Sequence, residues 1–231
     1  MQEYLSETPM LNFSNEKIQQ LITARGWKSL DEFDRTRAIY NFVRDEILFG
    51  YNVDDSITAS QVLTDGYGQC NTKGTLLMAL LRACGIACRV HGFTIDKRLQ
   101  RGAMTGLIYL LAPRNVFHSW VEVLLDGRWY ELEAFIIDSA YLAKLQQRFA
   151  NCTEFCGYGV AVKDLQHPTV DFDHCNTYIQ SEGINQDFGV YPSPDALLVE
   201  HHQQMTALKC FVYQHLGRHL MNHNVRKLRN S

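Results

Sequence analysis

Long apolar runs are missing from this sequence. None approaches the roughly 20 residues that a membrane-spanning helix needs. The longest, Thr75–Leu81 and Gly106–Pro113, have the length of buried helix or strand pieces, so no membrane partner is expected. The first ten residues carry neither the basic nor the apolar stretch of a secretory signal. Proline is scarce, with five in 231 residues, and glycine is scattered. No linker or internal repeat is visible, and collagen-like, disordered and low-complexity chains are excluded. A basic excess is absent too: 22 Lys and Arg stand against 25 Asp and Glu, a net charge of −3. That balance argues against a nucleic-acid partner. No Walker or Rossmann glycine fingerprint and no EF-hand-like acidic loop is present, so no organic cofactor and no calcium is implied. The seven cysteines are an odd number spread along the chain. Without an export signal they read as free thiols of a cytoplasmic protein, and the odd count invites a search for one special cysteine.

What is present has helical and strand periodicity. Ser14 or Asn15 caps a short helix that runs to about Ala24 and stops at Gly26. Ser29-Leu30-Asp31-Glu32 reads as a capping box, and Phe33, Thr36, Tyr40, Val43 and Ile47 continue it as an amphipathic helix over Leu30–Ile47. A shorter helix over Ala59–Leu63 is capped by Thr58 or Ser60. The turn-rich Asp65-Gly66-Tyr67-Gly68 then leads into a helix with Cys70 in its first turn and Gly85 just past its end. Ile86–Ile95 reads as a buried strand and Asp96–Thr105 as a charged loop. Phe117–Leu125 and Arg128–Phe135 flank Asp126-Gly127, a dipeptide that closes two-residue hairpins. Past Ala150 the chain is loop-rich up to Pro194 and ends in a helix from about Asp195 to Leu228, breaking near Gly217. The expected class is α+β: a core over residues 1–150 with N-terminal helices, and a C-terminal extension over 151–231 packed on it as one compact unit.

The hairpin register carries the chemistry. With Asp126-Gly127 as the loop, Leu125 faces Arg128, Val123 faces Tyr130 and Trp120 faces Glu133. One sheet face then holds His118, Trp120, Glu122 and Leu124 beside Trp129, Glu131, Glu133 and Phe135. His118 lies diagonal to Glu133, within reach of a long side chain. A carboxylate beside a histidine fixes its tautomer and favours the imidazolium. Cys70 stands where a glycine-containing loop becomes a helix N-terminus, whose N–H groups and dipole stabilise a thiolate or an oxyanion. Nucleophile, base and orienting carboxylate in this order are the elements of a catalytic triad.

These residues also resemble a known family. Gly66-Tyr67-Gly68-Gln69-Cys70 with Lys73-Gly74, then Gly85-Ile86-Ala87-Cys88-Arg89-Val90, His118-Ser119-Trp120-Val121-Glu122-Val123, Asp126-Gly127-Arg128-Trp129 and Leu132-Glu133 are similar to the transglutaminase-like core. The likeness runs from about Arg37 to Phe135. It implies a papain-like fold, with the cysteine at the start of a core helix packed on an antiparallel sheet. It also implies Cys70 as nucleophile, His118 as base and Glu133 as third member, where aspartate is usual. Asp138 is the alternative third member.

The expected activity is cysteine-dependent acyl chemistry on a small-molecule or peptide substrate: hydrolysis or transfer of an amide, ester or thioester through a thioacyl intermediate. The rival is a binding or scaffold module that keeps the fold without turnover. The backbone N–H of Cys70 is one oxyanion donor, and Gln69, Tyr67 and Trp120 are candidates for further oxyanion or substrate contacts. Lys73 either assists the thiol or is exposed. Glu122 and Glu131 face each other, so one turns to solvent or the register slips. Cys84 and Cys88 read as small buried hydrophobes. Cys152, Cys156 and His174-Cys175 have the ligand types of a zinc site without a standard spacing, so no metal is assigned. His201-His202 and the basic end from Arg218 to Arg229 read as solvent-exposed. Lys97, Arg98 and Arg101 are placed to gate or charge a pocket. Phe149, Phe155, Phe172, Phe188, Phe211 and Tyr213 are expected to bind the extension to the core.

Overall fold

Capping and periodicity place the first helices. The computed structural model describes residues 1–231, apart from the side chains of Leu107 and Leu111. Helix α1 (Glu16–Arg25) is capped by Asn15, whose side chain accepts from Lys17 N, and ends at left-handed Gly26. Helix α2 (Glu32–Asp45) is capped by Asp31, which accepts from Asp34 N. It therefore starts later than its sequence suggests. Ser29 belongs to a preceding 3-10 turn and its hydroxyl donates back to Gly26 O at 2.7 Å, so it is not free to cap. Strand β1 (Leu48–Phe49), helix α3 (Ala59–Asp65, capped by Thr58) and strand β2 (Tyr67–Gly68) follow, with β1 and β2 paired in parallel. Helix α4 (Cys70–Ala83) is buried at every position from Cys70 to Arg82, because it lies between the sheet on one side and α2 and α3 on the other.

Strand β3 (Cys88–Asp96) leads through a 3-10 turn and the short helix α5 (Gly106–Leu111) to β4 (Asn115–Leu125) and β5 (Arg128–Leu132). The segment after β3 is more than a charged loop, since Leu99 and Gln100 are buried in it. Helix α5, expected as a buried piece, exposes Leu110. The hairpin turn has φ of 49° at Asp126 and 76° at Gly127, the double positive that this dipeptide tolerates. Register follows the sequence reading from Leu125↔Arg128 to Val121↔Leu132. It then departs, for Trp120 and Glu133 do not pair. The N–H of Glu133 donates to Thr177 O at 3.0 Å, and Ala134–Ile136 turn into a 3-10 helix. A parallel bridge between Leu132 and Thr177 draws the chain off the sheet at that point.

Helix α6 (Ser139–Arg148) and the small hairpin β6 (Phe155–Gly157) and β7 (Val160–Val162) come next. Strand β8 (Ile184–Tyr191) corrects the expectation of loop up to Pro194: it completes the main sheet in the order β5-β4-β3-β8. Its polar, glycine-containing sequence suits a half-exposed edge strand and hides the pattern. The single long C-terminal helix is three pieces: α7 (Pro194–Glu200), α8 (Ala207–Val212) and α9 (Arg218–Arg229), with a π-helical turn over Tyr213–Gly217 joining the last two. One hydrophobic cluster runs from Leu11 through α4 and the sheet to Leu165, Phe172, Met221, Val225 and Leu228. The result is an α+β fold with a buried cysteine-bearing helix on a four-stranded antiparallel sheet.

Candidate active site

The start of α4 is fixed by side chains from the loop before α3. Asn52 N donates to Gln69 Oε1 at 2.8 Å, Gln69 Nε2 donates to Asp55 Oδ1 at 3.0 Å, and Thr72 Oγ1 donates to Asn52 Oδ1 at 2.6 Å. Gly68 is required here, because a Cβ on it would stand 2.6 Å from Thr72 Oγ1. One residue past the cysteine, Asn71 Oδ1 accepts from Ser119 Oγ at 2.8 Å. That bond ties the first turn of α4 to β4 beside His118.

His118 and Glu133 are both fully buried, and His118 Nε2 lies 2.9 Å from Glu133 Oε1. The other carboxylate oxygen accepts from Ile179 N and Gln180 N, each at 2.8 Å. With Nε2 taken, Nδ1 is buried without a conventional hydrogen-bond partner and is the ring nitrogen left for Cys70. Burial alone would lower the imidazole pKa. Cys70 beside the ring and then Glu133 more than offset this and push it up to about 10. Glu133 reaches the ring without adjustment of the strand, since β5 has already ended and the backbone delivers the longer side chain from the turn.

Asp138 is elsewhere. It caps α6 through Tyr141 N, accepts from Phe49 N at 3.0 Å and pairs with Arg229 at 2.6 Å. Arg229 is thereby taken out of the solvated basic end to which its sequence position assigned it. Lys73 is neither exposed nor turned to the thiol: it is fully buried and donates to Arg44 O and Ile136 O, each at 3.1 Å. Burial holds its pKa down to about 7, against the pull of Asp138. Glu122 and Glu131 stay opposed in register because each has its own partners. Glu122 binds Arg89 at 2.6 Å and His91 at 2.9 Å, while Glu131 accepts from Tyr178 OH.

Of the other candidate contacts, Gln69 has both ends of its amide engaged with the 52–55 loop. Tyr67 sits in β2 with its carbonyl accepting from Asn52. Trp120 is almost fully buried against Phe93, with ring centroids 4.1 Å apart, and its indole N–H has no partner among the described residues. Cys84 and Cys88 are buried. His174 stacks on Phe33 at 3.7 Å, and no three His, Cys, Asp or Glu side chains are placed to share a metal ion among the described residues. His201 is half-buried, stacked on Phe188 and bonded to Tyr191 OH at 3.0 Å, which leaves only His202 exposed. Arg101 lines an open cleft of about 540 Å³ with Met104, Tyr109, Phe149, Phe155 and Tyr158. Phe211, expected in the core, is 60% exposed.

The model of the transglutaminase-like superfamily matches residues 21–134. That stretch, just under half of the chain, is similar to the superfamily. It begins before the motif-bearing region and ends one residue past Glu133, so the superfamily segment contains Cys70, His118 and Glu133 together. Among solved structures, the chain is similar to a proposed cysteine protease from Cytophaga hutchinsonii, with 14% identity, a TM-score of 0.45, and coverage of 84% of this chain and 47% of that one. A red sea bream transglutaminase is similar over 57% of this chain and 25% of its own, with 20% identity and a TM-score of 0.31. The chain thus spans about half the length of the first and a quarter of the second. Comparison with curated proteins gives no match.

The transglutaminase-like motifs do not include everything at the site. The donors to Glu133 are backbone N–H groups of Ile179 and Gln180, which no side-chain pattern announces. Tyr213 is the other addition. Its hydroxyl donates to Asn52 O at 2.9 Å, and burial, then Asp55 and Cys70 nearby, raise its phenol. Cys70 itself is 8% exposed. Tyr213→Ala is therefore expected to raise the iodoacetamide labelling rate of Cys70 several-fold, with Tyr213→Phe giving a smaller gain. Peptide mapping after timed labelling measures it, and an unchanged rate means that the ring does not screen the sulfur.

Proposed function

We propose that the chain is a cysteine-dependent enzyme of acyl chemistry, with Cys70 as nucleophile, His118 as proton carrier and Glu133 as the carboxylate that orients it. The observation that carries this reading is the bridging position of His118: Nε2 is held on Glu133 at 2.9 Å, and buried Nδ1 is left for the sulfur. A histidine whose pKa is pushed up to about 10 keeps a proton beside Cys70, ready for the leaving group. The sulfur attacks the carbonyl carbon of an amide, ester or thioester, and the carbonyl π electrons move onto oxygen. The backbone N–H of Cys70, at the start of α4 and without a helical acceptor, is the donor offered to that developing charge. As the oxyanion collapses, the bond to the leaving group breaks and the proton on Nδ1 passes to it. The thioacyl intermediate is then resolved by water or by an amine, with His118 taking a proton from the attacking group.

The test is incubation with a small activated thioester or ester, followed by mapping of the acylated residue. An acyl group on Cys70, with product release lost in Cys70→Ala and His118→Ala, is the expected result. Labelling of Cys70 by iodoacetamide should also run ahead of the other six cysteines and slow in His118→Ala. The complete burial of His118 and Glu133 favours the second reading, a scaffold without turnover. In that case, no acyl adduct forms on Cys70 and the seven thiols show no ranking that depends on His118.

A further inference from the structure

The C-terminal helical segment has two apolar rows, and only one is used by the fold. Tyr213, Gly217, Met221, Val225 and Leu228 repeat at three- and four-residue spacing and pack inward. About a quarter-turn away, Leu208, Phe211, Val212, Leu216 and Leu220 stand between 38% and 72% exposed. In an unbroken α-helix the successive steps of four residues from Leu208 to Leu220 would drift by about 40° each and wind off one side. The π-helical turn over Tyr213–Gly217 takes back roughly one residue of rotation and realigns them. Isolated exposed leucines need no explanation, but five large apolar side chains in register along one element do.

The charge around this row is one-sided. From Thr206 to Ser231 the chain carries five Lys and Arg and no Asp or Glu, although its net charge is −3. Lys209, Arg226 and Lys227 are exposed, whereas Arg229 is spent on Asp138. Asp54 and Asp55 lie on the side of Tyr213, which belongs to the inward row.

We infer that the outer face of α8 and α9 is a docking surface for an anionic lipid bilayer. An apolar row bordered by cations and free of carboxylates is the pattern by which a helix lies in the interface, its hydrocarbon in the acyl boundary and its cations among the headgroups. A polynucleotide would be met by the cations but would leave the leucines and Phe211 unused. Among the described residues, no helix is long and apolar enough to cross a membrane, and surface docking does not call for one. The absence of long apolar runs, from which no membrane partner was expected, bears on spanning alone.

Sedimentation of the full chain with vesicles of phosphatidylcholine and phosphatidylserine, against phosphatidylcholine alone, tests this. Uptake by the anionic vesicles that falls with added salt is expected. It should weaken about five-fold for each of Lys209→Gln, Arg226→Gln and Lys227→Gln, and at least ten-fold for Phe211→Ser combined with Leu216→Ser, all with unchanged thermal melts. Phe211→Trp should keep the uptake, with its added emission shifting to the blue on the vesicles. No uptake, equal uptake by both vesicle types, uptake that the variants leave unchanged, an unshifted emission, or capture by polynucleotide or acidic protein in place of vesicles would each overturn it.

Discussion

Glu133→Gln is expected to lower acyl turnover about ten-thousand-fold, the scale seen when a triad carboxylate becomes an amide, while leaving the fold intact. The reason lies in how the carboxylate is used. One oxygen accepts two backbone N–H groups, from Ile179 and Gln180 at 2.8 Å each, and the other faces His118 Nε2 at 2.9 Å. An amide has a single oxygen. If that oxygen serves the two N–H groups, its NH2 points at Nε2, which must become an acceptor and move the ring hydrogen to Nδ1. The nitrogen facing Cys70 can then no longer take a proton. The opposite amide orientation would press donors against donors and leave two buried N–H groups unpaired, at about 1–3 kcal/mol each, so it does not rescue the tautomer. The variant also loses one of the charges that raise His118, so the alkaline limb of the pH–rate profile moves down from near pH 10. Steady-state rates on a small thioester, with a circular dichroism melt as control, measure both effects. Glu133→Asp retains the charge with a shorter reach and should fall between. Full activity in Glu133→Gln would remove the carboxylate from the mechanism.

The contrast between what was legible and what was not follows the range of the interactions. Asn15, Thr58 and the Asp126-Gly127 turn act within a few residues, and the structure uses each as its chemistry suggests. The same holds for Cys70 at the start of α4, since the change from turn to apolar run is a local signal. Register was readable as far as Leu132 because alternation fixes it. It failed at Glu133, where a bond to Thr177, far along the chain, ends the strand. Lys73 was misread for a similar reason. Its charge and its place one helical turn past Cys70 suggest exposure or a role beside the thiol, and only the assembled fold brings the Arg44 and Ile136 carbonyls to its ammonium. Asp138 fits a triad by residue type alone, yet Arg229 and two N–H groups claim it. Strand β8 carries too little apolar alternation to be seen without β3 beside it.

Truncation after Ala150 is expected to abolish cooperative folding, the largest effect predicted for this chain. The lost segment supplies Val160, Leu165, Phe172, Ile179, Met221, Val225 and Leu228 to the common core. At about 1.5–3 kcal/mol for each fully buried side chain, even a few of these match the roughly 5–15 kcal/mol by which a typical domain is stable. Polar losses add to this. Asn222 bonds both the N–H and the carbonyl of Tyr51, at 2.7 and 3.0 Å, and Arg229 neutralises buried Asp138. Removal of β8 leaves β3 an open edge, ready to pair with another chain. The truncated protein should therefore aggregate on expression, or bind hydrophobic dye without a thermal transition. A soluble, monodisperse fragment melting as sharply as the full chain would mean that residues 1–150 fold alone. Even that fragment should fail as a catalyst, because Glu133 would have lost both backbone donors that hold its carboxylate against His118.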